Sequence, residues 1–202
     1  MIGSRRSFIQ IFSRIDEELE ETMAYPQLTS AQVQGLSTAV AQYIASQREA
    51  FLHSASPLAE RQRHTVEGFF HPEVIDGVRL MVLENSRVQN PPFYPQLVQM
   101  GFGNLPDFRL MAAITFGNVV VSHQQFTDGL LFHELVHVEQ YRQLGIPQFS
   151  GLYVRGFLSG GGYDGIPLEI NAYALGTRFE TSPRQQFSVS DEVSEWIRQG
   201  RF

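Results

Sequence analysis

The chain contains no cysteine, which excludes disulfide staples, thiolate metal sites and a cysteine nucleophile together. It also has no apolar run approaching the ~20 residues that a membrane-spanning helix requires, so no membrane association is expected. Charge is sparse, at 18% of residues, and no basic stripe offsets the net charge of −6, so a nucleic-acid partner has little electrostatic support. No repeat or long low-complexity tract interrupts the chain. With 202 residues and a hydrophobic fraction of 43%, it reads as one domain, 1–202, able to bury its own core.

The N-terminal "SRRSFIQ" (Ser4–Gln10) resembles a twin-arginine export signal but lacks its apolar stretch, because Ser13, Arg14 and "DEELEE" follow at once. An amphipathic helix carrying Phe8, Ile11, Phe12, Ile15 and Leu19 on one face is expected instead, in a soluble, cytoplasmic protein.

The rest of the chain predicts an α+β fold in which helix dominates. Thr29 and Gln32 form a capping-box signature for a second helix, with Leu28 placed to staple onto Val33. Residues 1–70 therefore read as helical support, and 71–202 as the region carrying chemistry. "VRLMVLE" (Val78–Glu84) is a strand candidate, and "NPPFYP" (Asn90–Pro95) a stiff, non-helical connection. "MAAITFGNVVVSH" (Met111–His123) predicts two short strands broken at Gly117-Asn118 by a hairpin turn or a bulge. A helix capped by Thr127 or Asp128 follows and should end at Gly145 and Pro147. Beyond it a short helix in "QFSGLYVRGFL", a flexible "SGGGYDG" loop, a helix opened by Pro167 and a final helix capped by Ser190 are expected.

The helix after the strands carries "LLFHELVHVEQ" (Leu130–Gln140), whose core is His133-Glu134-Leu135-Val136-His137. Histidines four residues apart leave the same helix face one turn apart and can converge on one ion. Glu134 lies about 100° further round, beside the ion but off it, where a carboxylate can take a proton from water. Apolar flanks suit a buried site. Catalytic zinc normally has three protein ligands, and without cysteine the third must be His, Asp or Glu; no histidine follows His137 to complete a metzincin pattern, and the best candidate is Glu169 on the Pro167 helix, with Asp164 in the glycine-rich loop as a reserve. Tyr153, Tyr163, Tyr173 and His123 are candidate donors to an oxyanion, while His53, His64 and His71 read as ordinary surface residues.

The segment from about Ile114 to Phe179 resembles the gluzincin metallopeptidases, on His133, Glu134, His137 and "PLEINAYALG" with Ala172 at the third position after Glu169. It is also similar to small bacterial metallopeptidase-like domains of unassigned function with an H-E-L-x-H-x-x-Q helix, Gln140 holding the glutamine position. The resemblance implies a zincin-like fold, with a small sheet packed beside the active-site helix, and Zn²⁺ held by His133, His137 and Glu169. Glu134 would be the general base, acting on a peptide or protein substrate. Two departures stand out. Tyr173 occupies the place where thermolysin-like members often carry an aspartate that holds a histidine, and it could accept from an imidazole N–H in that acid's stead. Glu139 replaces an apolar residue and, pointing about 200° from His137, is expected in solvent. An expectation of another class is a zinc-bearing scaffold or interaction domain without turnover; a helical domain without metal is a third.

Overall fold

A computed structural model describes residues 26–202, so the helix expected around Phe8–Leu19 lies outside the described residues. Among the described residues no helix is long and apolar enough to cross a membrane.

The fold is α+β, mostly helical, with one three-stranded sheet. Helix α1 (Ser30–Leu52) begins at the Thr29 cap, and the capping box with Gln32 forms as the sequence predicts. Two short helices, α2 (Glu60–Val66) and α3 (Pro72–Gly77), lead into β1 (Arg79–Val82). The stretch expected to be non-helical instead opens α4 (Tyr94–Gln99), because Pro95 sits in the first turn, where its missing N–H costs the helix nothing. After a 3₁₀ turn at Phe108–Leu110 come β2 (Ala113–Phe116) and β3 (Val119–Ser122). These two pair antiparallel across Gly117-Asn118, which resolves that pair as a hairpin turn, and β1 adds parallel to β3, leaving β2 at an edge.

The long helical segment α5 (Asp128–Ser159) starts at the Thr127 cap and breaks at Gly145, whose φ of 71° only glycine adopts at low cost. Pro147 then starts the second segment, so the expected stop and the expected short helix after it are both present. A 3₁₀ turn at Tyr163–Gly165 and helix α6 (Pro167–Thr181) follow, then α7 (Val189–Arg198). The cap of α7 is Ser188, accepting from the Asp191 N–H, and not Ser190. Ser190 instead turns its hydroxyl to Arg142 and Gln143. The glycine-rich loop expected to be flexible is packed on itself: a Cβ on Gly165 would meet the Gly160 carbonyl oxygen at 1.9 Å.

Strand alternation decides what the sheet touches. Ile114, Phe116, Val119 and Val121 join one apolar cluster with Ile44 of α1, while Ala113 and Val120 join another with Leu131, Phe132 and Leu135 of α5. The hairpin is thus held between two helices and buried on both faces, which is why its residues read as a nearly continuous apolar run. α5 and α6 pack along each other, with the Phe132 and Phe179 rings stacked 4.2 Å apart. That packing carries Glu169, in the first turn of α6, to the histidine face of α5.

Candidate metal centre

His133 and His137 face the same way from consecutive turns of α5, and Glu169 meets them from α6. The three form a group that could hold a metal ion. Their facing atoms make a near-equilateral triangle: Nε2 to Nε2 is 3.2 Å, and Glu169 Oε2 stands 3.3 Å from His137 Nε2 and 3.6 Å from His133 Nε2. His137 is 6% exposed and Glu169 4%, so the triangle is largely shielded from bulk solvent.

The ring orientation of His137 is set from behind. Its Nδ1 lies 2.9 Å from Gln140 Oε1, and the Gln140 amide nitrogen donates to the Leu168 carbonyl at 3.0 Å and to Asn171 Oδ1 at 2.9 Å. Both amide hydrogens are therefore committed, and Gln140 can only accept from His137. Nδ1 therefore carries a proton, so that whenever the ring is neutral it is Nε2 that presents a lone pair to the triangle. Tyr173, not Gln140, is the residue expected from the sequence to accept from an imidazole N–H. Instead, the Tyr173 ring lies against His133 with centroids 4.5 Å apart, and no hydrogen bond joins it to either imidazole.

Glu169 Oε2 is buried without a hydrogen-bond partner among the described residues, although both imidazoles stand close. A buried carboxylate oxygen facing two nitrogen lone pairs is a costly arrangement that a cation relieves. In the metal-free protein a proton serves instead. Burial alone would lower the His137 pKa, but the Glu169 carboxylate, with help from Glu134 and Gln140, pushes it up to about 9. Burial would raise Glu169, yet the charge of His137 and the close approach of both imidazoles hold it well below the usual carboxylate range.

Glu134 stays off the triangle, as its position on the helix predicts. Its Oε2 accepts from the Thr115 hydroxyl at 2.6 Å, across from the edge strand β2. Among the described residues no hydrogen bond engages its other oxygen, which lies where α5 borders two cavities. Thr115 is a site residue that sequence reasoning missed; its signal was a lone hydroxyl inside an otherwise apolar strand. Asn171, the other omission, was a polar residue on the buried face of α6.

Of the remaining candidates, Asp164 is exposed and outside the cluster. His123 is structural: Nδ1 contacts the Met111 carbonyl at 2.8 Å and Nε2 accepts from the Val88 N–H at 3.0 Å. Tyr163 lies between the two cavities. Tyr173, 54% exposed, lines the outer one only, and Tyr153 the inner one. Burial foremost, then the Glu169 charge, raises the pKa of all three phenols, so each keeps its proton at neutral pH. His53, His64 and His71 are exposed, as expected.

Glu139 departs most from expectation. Its side chain is fully buried, and Arg142 grips both carboxylate oxygens at 2.8 and 2.7 Å while Gln143 donates at 2.5 Å. Helical geometry placed it correctly, on the side away from His137. That side is covered by α7, whose Ser190 accepts from Gln143.

The chain matches no family model, no curated protein and no solved structure.

Proposed function

We propose that the protein is a zinc-dependent metallopeptidase of gluzincin type, with a zincin-like fold. The observation that carries this reading is the buried triangle of lone pairs on His133, His137 and Glu169. Ligands at about 2.1 Å around a tetrahedral zinc are separated by about 3.4 Å, close to the three separations found here. Two nitrogens and one carboxylate oxygen would also be the donor set of a catalytic rather than a structural zinc site.

Zinc held there supplies an acidified water and a Lewis acid for a substrate carbonyl. The protein's own part follows from the positions of its side chains. Thr115 fixes one oxygen of Glu134, leaving the other to take a proton from water and pass it to the departing amine. The Gln140 bond keeps His137 in the tautomer that presents Nε2. Tyr173, protonated and bordering the groove beside His133, is the donor placed for the developing oxyanion. A groove of about 540 Å³ runs between the segment Pro106–Ala113 and α6, with the exposed side chains of Leu110 and Tyr173 at its walls, a shape suited to an extended peptide.

The test is digestion of a mixed peptide library by the zinc-loaded protein, read by mass spectrometry, beside Glu134→Gln. Cleavage that falls by about 10²- to 10⁴-fold in the variant while zinc is retained is expected. Zinc without any cleavage would leave a scaffold, and cleavage undiminished in the variant would remove Glu134 from the mechanism.

A further inference from the structure

Behind the metal-ligand set lies a second, inner cavity of about 100 Å³. Thr115, Glu134, His137 and Glu169 form one end of it, and the rings of Tyr43, Tyr94, Phe108, Phe116, Phe149 and Tyr153 surround the rest. The groove and this cavity share Met111, Ala113, Glu134 and Tyr163, so the cavity adjoins the groove beside the residue read as general base. No lysine or arginine lines it, so an anionic group would find no partner there. Its only carboxylates belong to the metal-ligand set and its base. An apolar cavity of ~150 Å³ binds benzene, so the smaller space here takes one ring only with part of it left in the open mouth toward the groove.

We propose that this cavity is the pocket for one large apolar, phenylalanine-like side chain of the substrate, next to the bond that is cut. Its selectivity is set by α1, a helix outside the segment that carries the histidine motif. Val40, Tyr43 and Ile44 of α1 close the cavity opposite the site. Tyr43 is a fixed wall: its hydroxyl donates to the Gln89 carbonyl at 2.8 Å, and its ring meets Phe93, Phe108 and Phe116 edge-on. Val40 borders both the pocket and a further void of about 50 Å³ beyond Tyr94 and Tyr153, too small for an indole, so a tryptophan at position 40 would project into the pocket. The helix that reads as mere support from the sequence thereby selects what the site accepts. The adjacency to a scissile bond rests on the peptidase reading; the pocket's preference for a ring does not.

Two measurements keep these apart. In the first, metal-free protein is titrated with N-acetylphenylalanine amide and N-acetylalanine amide and followed by amide chemical shifts. The phenylalanine compound is expected to bind at least about tenfold more tightly, shifting Ile114 and Phe149, and to lose that advantage in Val40→Trp. Should Val40→Trp fail to fold, Tyr43→Ala tests the same wall in the opposite sense, by gaining about tenfold for the naphthylalanine analogue. Equal binding of the two amides, or a preference untouched by the α1 substitutions, would overturn the pocket. In the second, the zinc-loaded protein cuts a peptide library. Cleavage sites enriched about tenfold for Phe, with that enrichment lost in Val40→Trp while alanine-flanked sites persist, are expected. Cleavage without such enrichment overturns this proposal and leaves the peptidase standing, whereas tight phenylalanine-amide binding without any cleavage removes the peptidase reading and leaves the pocket.

Discussion

Gln140 decides which nitrogen of His137 faces Glu169. Its amide nitrogen is spent on the Leu168 carbonyl and Asn171, its oxygen accepts from Nδ1 at 2.9 Å, and Nε2 is left to point into the triangle. This one side chain ties α5, which carries both histidines, to the start of α6, where Glu169 sits. Removing it should weaken the metal without removing a ligand. In Gln140→Ala the zinc dissociation constant should rise by about 10- to 100-fold, measured by competition with a chromophoric chelator. Gln140→Glu keeps an acceptor for Nδ1 and should lose less. Equal affinity in wild type and Gln140→Ala would refute the tautomer argument.

The ligands themselves should behave as a set. His133→Ala, His137→Ala and Glu169→Gln should each retain less than about a tenth of an equivalent of zinc after dialysis, by elemental analysis, because two remaining donors do not hold a catalytic ion. Glu134→Gln, off the triangle, should keep its metal.

Thr115→Val offers a finer division between binding and chemistry. Its hydroxyl touches Glu134 and none of His133, His137 and Glu169, so metal content should be unchanged while kcat falls about tenfold and KM stays constant. A loss of metal would show that Thr115 acts through the fold instead.

The pH dependence follows from the buried pair. His137 in the metal-free protein is raised from 6.5 to about 9, chiefly because the Glu169 carboxylate overcomes the cost of burial. A raised pKa contributes stability that is fully present below 6.5 and is lost as pH rises through 9, here about 3 kcal/mol. Glu169 is depressed, so its contribution is full above its ordinary value of 4.5 and fades as pH falls toward acid. Denaturant unfolding of metal-free protein should therefore show highest stability between about pH 4.5 and 6.5, declining toward pH 9. Metal must displace the His137 proton, so its affinity should tighten about tenfold per pH unit up to about 9. Calorimetry in buffers of differing ionisation enthalpy should find close to one proton released per metal at pH 7; no release would contradict the pairing.

On the far side of α5, Arg142→Ala would strand the Glu139 carboxylate in a fully buried position. Unfolding measurements should show a loss of about 3 kcal/mol, the low end for a broken buried pair because Gln143 still donates. Replacing both residues, as in Glu139→Leu with Arg142→Met, should cost much less than Arg142→Ala alone.

The sequence by itself determined the parts whose signals are local. Thr127 caps α5, Gly145 breaks it, Pro167 opens α6, and the four-residue spacing of His133 and His137 fixes their common face, because each depends only on neighbours within a turn or two. Gln140 could be singled out by its place on that helix, but the Leu168 carbonyl and Asn171 that orient its amide could not. Tertiary structure alone decided that Thr115 would hold Glu134, that α7 would cover Glu139, and that α1 would close a ring-lined cavity behind the site. Those contacts join residues far apart in the chain. A polar side chain in an apolar strand or helix announces that it needs a partner, but which partner it finds is set by how the helices and the hairpin pack together.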